Sequence, residues 1–173
     1  IALGGLVIPN AEHHEQAYPL RVRRQEFRLD GGGPGRFRGG TGVDYEVEVL
    51  EPAEYSFRGE GLNYETGFGV HGGGYGASGR MTLTFPDGTT VDAPKFAVRR
   101  HGPLVERASS PGGGGWGSPL ERDPEAVLRD VRDGTVSPIA ANDVYGVVLA
   151  GDGRAVDGAA TAARRAALRV AAE

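Results

Sequence analysis

The sequence has no cysteine, so disulfides and thiolate metal sites are excluded. That fits a reducing cytoplasm, which is the expected location. Lysine is almost missing: Lys95 is the only one, and arginine carries the rest of the positive charge. With a formal net charge of −4 and no basic stripe interleaved with aromatics, the chain gives no reason to expect nucleic acid as a partner. No apolar run is long enough to span a bilayer, and no signal-peptide pattern opens the chain; no membrane partner is expected. There is no Gly-Lys-Ser/Thr phosphate loop and no dinucleotide fingerprint ahead of a helix. Gly-x-Ser-x-Gly is absent, so a nucleophile elbow has no support. The chain opens on Ile1 rather than methionine. The expectation is therefore a trimmed subunit, a processed product or a piece of something longer.

What the sequence does have is glycine, 30 residues of 173, gathered into three clusters. Ordinary strand and helix patterns lie between them, which argues against a disordered low-complexity chain. The first cluster, Asp30 to Gly42, is broken by Arg36, Phe37 and Arg38. Its backbone can enter conformations closed to other residues. Successive N–H groups around Gly32, Gly33, Gly39 and Gly40 could form an anion-binding concavity, with the two arginines pairing a carboxylate or phosphate. A tight turn with solvated arginines is the alternative. The second cluster runs from Gly67 to Gly79. The third, Pro111 to Gly117, holds Gly113, Gly114 and the only tryptophan, Trp116. Four consecutive glycines cost much entropy to order, so order there requires a close approach to that backbone.

The remaining pattern predicts an α+β fold: a glycine-rich β body of antiparallel or mixed sheets over residues 1–118, then short helices over 119–173, in one domain. Val43 to Val49 alternates strictly with Asp44, Glu46 and Glu48, the period of a half-buried strand. Tyr18–Leu29 reads as a strand with a bulge near Arg24 or Gln25. Ala53–Gly59, Met81–Phe85, the stretch from Val91, Phe96–Val98 and a short Leu104–Val105 read as further strands, with Pro86-Asp87-Gly88-Thr89 as a turn. Asp123-Pro124, Ser137-Pro138 and Asp157 are N-cap signals for three helices, the first ending at Gly134 and the last near Ala172. Tyr145–Leu149 reads as a buried strand.

Few residues stand out for chemistry. His13 and His14, flanked by Glu12 and Glu15, suggest a metal site, but adjacent imidazoles point apart on any regular element. A polar, partly exposed loop without metal is the expectation. His71, His101 and Asp30 are candidates for acid–base work; none is assigned a catalytic role.

Four blocks carry a family resemblance. They are Glu12 and Glu15 with Tyr18-Pro19; Arg28 to Gly42; Ser110 to Pro119 with Arg122-Asp123-Pro124; and Asp130-Val131 through Tyr145-Gly146-Val147-Val148 to Ala160-Thr161. In this order they resemble the C-terminal portion of the hydantoinase B/oxoprolinase family. Gly31 stands where that family usually has serine, and Pro34 where it usually has alanine. The resemblance implies a subunit or segment of an ATP-dependent complex that opens cyclic amides, or alternatively carboxylates ketones. ATP and Mg²⁺ or Mn²⁺ would sit on a hydantoinase A-like partner, and a further metal on the rest of a longer B-type component. The chain would be inactive alone. Its three glycine loops would converge on an interface or channel, with Arg36 and Arg38 holding an anionic intermediate. A non-catalytic assembly domain is the competing expectation.

Overall fold

The computed structural model describes residues 10–171, which form two compact units. The start of the expected N-terminal loop and the end of the last helix at Ala172 lie outside the described residues. The first unit comprises residues 10–26, 44–59 and 81–108, and the second 27–43, 60–80 and 109–171.

The first unit opens with helix α1 (Ala11–Ala17), which corrects the expected loop. Asn10 caps it, its side chain accepting from the His13 N–H at 2.9 Å. The helix buries no residue, so it carries no apolar stripe by which a sequence reading could detect it. The strands follow as β1 (Leu20–Phe27), β2 (Val43–Val49), β3 (Ala53–Arg58), β4 (Arg80–Thr84), β5 (Thr90–Asp92), β6 (Phe96–His101) and β7 (Leu104–Ser109). Five form one sheet in the order β1-β2-β7-β4-β5, and β3 pairs with β6 in a second. The β3–β6 pair is antiparallel, Ala53 facing His101 and Arg58 facing Phe96.

Strand β7 is longer than the expected Leu104–Val105 and lies at the middle of its sheet. Strand β1 runs unbroken to Phe27. Both Phe27 and Leu29 are exposed, so the change of parity along β1 marks no second buried face. Phe57, Leu83, Ala93 and Leu104 form the buried core of this unit, with Tyr55, Met81, Phe85 and Ala97 packed on it. Each such large apolar side chain contributes about 1.5–3 kcal/mol by burial. The charged parity of β2 meets arginines instead: Arg23 Nη2 lies 3.0 Å from Glu48 Oε2, and Arg107 Nε 2.9 Å from Glu46 Oε2. Exposed pairs of this kind add little each, about 0–1 kcal/mol. The Asp-Gly turn between β4 and β5 forms as expected, Gly88 taking φ 85° and Asp87 accepting from the Thr89 N–H at 2.8 Å.

In the second unit, α2 (Pro124–Arg132), α3 (Pro138–Asp143) and α4 (Gly158–Val170) start where the caps predict. Asp123 accepts from Glu125, Ser137 from Ala140 and Asp157 from Ala160, at 3.2, 3.0 and 2.9 Å. Gly134, at φ 68°, follows α2. Val127, Val136, Ala141, Tyr145 and Val147 make the core between the helices. The Tyr145–Leu149 run is buried or half-buried but is no strand. Its backbone pairs irregularly, Val147 donating to Ala141 O at 2.8 Å and Val148 to Thr161 Oγ1 at 3.0 Å. The architecture is α+β, as the sequence predicts.

Candidate functional site

The three glycine clusters meet within the second unit. Each of the segments 31–42, 67–79 and 111–117 hydrogen-bonds to both others through its backbone. Gly33 donates to Gly113 O at 2.8 Å and Gly113 to Gly40 O at 2.9 Å. Gly112 donates to Ala77 O at 2.9 Å and Gly115 to Gly74 O at 3.0 Å. Gly74 donates to Pro34 O at 2.7 Å and Ala77 to Gly31 O at 2.9 Å, closing the set. Three extended strings are thus stitched side by side into a platform whose interior is peptide groups.

The glycines are there for proximity. A Cβ at Gly33 would sit 2.6 Å from Gly115 N, and one at Gly35 2.7 Å from Trp116 N. At Gly32, Gly39 and Gly114 it would run into the backbone carbonyls of Gly39, Gly113 and Phe68. Gly40 is different: nothing lies within 4 Å of where its Cβ would be. The nearest atom to a Cβ at Gly113 is Gly40 N at 3.4 Å. The N–H groups of Gly33, Gly39 and Gly113 are all engaged by carbonyls, so these three do not point at an anion. At Gly31, where the family resemblance expects serine, a Cβ would lie 2.6 Å from Thr41 Oγ1. The Thr41 hydroxyl, bonded to Arg28 O, occupies that space.

A buried charge bridge ties the platform to the helices. Asp130 on α2 accepts Arg38 Nη2 on Oδ1 at 3.3 Å. Its Oδ2 accepts Arg122 Nε at 3.0 Å and pairs with Nη2 at 2.9 Å. Arg122 also donates to Arg36 O at 3.1 Å, and Arg38 to Gly39 O at 2.9 Å. The side chains of Arg38, Arg122 and Asp130 are 17, 16 and 11% exposed. Arg38 therefore serves as an internal tie, not as a free hand for a ligand. From α4, Arg165 reaches Arg122 O at 2.6 Å and Tyr145 O at 3.1 Å.

Asp30 adopts φ 54° and is likewise tethered. Its N–H donates to Thr135 O at 3.1 Å, and its Oδ1 accepts from the Ser137 N–H at 2.8 Å. With Gly32, Pro34, Val136, Ala140, Val144 and Tyr145 it lines a cleft of about 110 Å³. Small-molecule pockets usually span about 300–1,000 Å³, so this cleft alone does not enclose a substrate. Burial pushes the Tyr145 hydroxyl up to about 12, against the pull of the Arg122 and Arg38 guanidiniums. It stays a neutral phenol at physiological pH.

One edge of the platform carries side chains. Trp116 forms an antiparallel bridge with Phe37 and a parallel one with Val70. Bridged partners share a face, so Phe37, Trp116 and Val70 stand in a row, one from each segment. The Phe37 and Trp116 rings lie 5.6 Å apart, and His71, at φ 52°, meets Trp116 edge-on at 5.5 Å. The Arg36 guanidinium lies over the Phe37 ring at 5.6 Å.

The other histidines lie in the first unit. His101 is packed among Tyr55, Phe57 and Phe85. His13 is exposed on α1, and His14 lies 6.5 Å from the Tyr18 ring. Among the described residues no three His, Asp or Glu side chains gather as metal ligands. Nor is any helix among them long and apolar enough to cross a membrane. Arg122 and Asp130 stand out in the sequence only as parts of the blocks that carry the family resemblance, and nothing there signals that Asp130 pairs with both Arg38 and Arg122.

Comparison with known proteins places this arrangement. The family model described as hydantoinase B/oxoprolinase matches residues 1–119. The caprolactamase subunit beta of Pseudomonas jessenii is 38% identical over 95% of this chain and 29% of its own length. The crystal structure of the ATP-dependent caprolactamase from that organism superposes at TM-score 0.72, with 35% identity over 94% of this chain and 29% of that one. A nucleotide-free acetone carboxylase, solved in work on ATP-dependent acetone carboxylation, superposes at 0.78, with 27% identity over 94% of this chain and 26% of that one. This coverage takes in helical residues beyond 119. The chain spans less than a third of the length of these relatives.

Proposed function

Because this chain belongs to the hydantoinase B/oxoprolinase family, we propose that it is a segment or small subunit of a multi-subunit ATP-dependent enzyme that opens cyclic amides. The observation that carries this reading is 38% identity to a caprolactamase subunit across 95% of the chain. A hydantoinase A-like partner binds ATP with Mg²⁺ or Mn²⁺ and activates the amide by phosphorylation. The rest of a longer B-type component, with any metal of its own, completes the hydrolysis in the cytoplasm. This chain contributes the rigid platform and is inactive alone, since it holds neither a nucleotide loop nor a metal-ligating cluster among its described residues. Its part is to shield a labile intermediate from water. Of the two platform arginines only Arg36 has an exposed side chain available to an anionic group, because Arg38 is held by Asp130.

A ketone carboxylase is the second reading, supported by the TM-score of 0.78 to acetone carboxylase. A purely structural role in either complex is the third. Reconstitution with the A-type and longer B-type partners separates them. The expected result is ADP release that depends on hydantoin, 5-oxoproline or caprolactam and on this chain. Turnover that instead requires acetone and bicarbonate, with a product heavier by a carboxyl group, favours the carboxylase. Turnover unchanged when this chain is left out overturns the enzymatic reading.

A further inference from the structure

We infer that the row Phe37–Trp116–Val70, flanked by Arg36 and His71, is the face on which the remainder of a B-type polypeptide docks. The inference rests on the family reading above and deepens it by assigning the contact. Three observations converge on it.

The first is exposure. Phe37 is 60%, Trp116 45% and Val70 40% exposed, although the backbone of each is bridged into the glycine-rich platform. Contiguous apolar side chains left open in this way mark interaction sites.

The second is rigidity. Every segment contributes one large side chain at the same rung, and the backbone beneath is fixed by the interchain-like stitching of Gly33, Gly74, Gly113 and Gly115. A preorganised row loses little freedom on binding. Tryptophan and arginine are the residues that most often anchor interfaces.

The third is length. The solved relatives carry this fold within chains of which it covers 26 and 29%. A polypeptide at least twice as large again must therefore meet the domain. The row is apolar with a cation at one end, since the exposed Arg36 side chain lies beside Phe37. Its complement is an apolar segment carrying a carboxylate.

The test is assembly. This chain, tagged, is co-expressed with the remaining B-type polypeptide and the A-type subunit, and the recovered complex is quantified. The unsubstituted chain is expected to retain both partners. The double variant Phe37→Ser/Trp116→Ser is expected to lose them at least tenfold, whereas Trp116→Phe, which keeps an apolar ring, retains them. Arg36→Glu, an exposed change that leaves the fold intact, is expected to cut recovery severalfold and keeps the test decisive if the double variant misfolds. Phe96→Ser/Val98→Ser, equally exposed at 57 and 56% but on β6, is the control and is expected to change nothing. If the unsubstituted chain retains no partner, the family-based reading fails and this face with it. If it assembles, and Arg36→Glu and the double variant assemble as well, the reading stands and only the face assignment is overturned.

Discussion

The first unit and the glycine segments of the second fill their interiors with opposite materials. In the first, side chains do it: Leu83, Phe57 and Leu104 interlock, and Leu83 is 1% exposed. In the glycine segments of the second, main-chain atoms do it. A carbonyl of one string occupies the room where a neighbour's Cβ would be, as Gly113 O does at Gly39 and Gly31 O at Gly112. The difference teaches how each will fail. A side-chain core loses stability by degrees, because neighbours relax around a missing methylene. A backbone core has nothing to trim and no room to add.

The sharpest way to break this comparison is a single methyl group. Gly39→Ala is expected to unfold the second unit, since the added carbon meets Gly113 in the main chain, and total stabilities are only about 5–15 kcal/mol. Gly40→Ala, one residue on, is expected to stay within about 0.5 kcal/mol, because nothing lies within 4 Å. Thermal melts of the two variants check the pair. Next comes Asp130→Ala, which leaves Arg38 and Arg122 unpaired in a buried site. A loss of about 3–5 kcal/mol is expected in denaturant titration, and Asp130→Asn recovers only part of it. In the first unit, Leu83→Ala is expected to cost about 2–5 kcal/mol yet leave a folded sheet by circular dichroism.

The smallest effect concerns Glu106, on β7. Burial raises its carboxyl above the ordinary value of 4.5. The folded chain therefore holds that proton more tightly than the unfolded one. The resulting stability is complete below the unfolded value and is lost as pH rises through the raised, folded value. Glu106→Gln is expected to flatten this decline, making the variant slightly more stable than the parent at pH 7 and no more stable at pH 4. Urea midpoints at the two pH values decide it. Tyr55 shares the environment: burial and the Glu106 charge push its hydroxyl up to about 12, and that hydroxyl is buried without a hydrogen-bond partner among the described residues.

Much of the fold was legible where side chains alternate or cap. Val43 to Val49 announced β2, and Asp123, Ser137 and Asp157 announced three helices. α1 was not legible, because a helix with no buried side chain has only its cap to declare it. The apolar run Tyr145–Leu149 signalled burial correctly but not conformation, since such a run suits a strand or any buried segment. The glycine clusters revealed that backbones must come close. They could not reveal which backbones, because a residue without a side chain leaves no pattern from which to read a partner. Arg38 looked like its neighbour Arg36 in the sequence, yet it pairs with Asp130, which lies 92 positions along the chain.

Trp116 has a practical consequence. It is the sole indole in the chain and belongs to the second unit, while the first is left with tyrosines as its longest-wavelength absorbers. Emission excited at the red edge thus reports one unit only, and far-ultraviolet dichroism reports both. Following the two signals through a single melt will tell whether the halves come apart together or in turn, without any label.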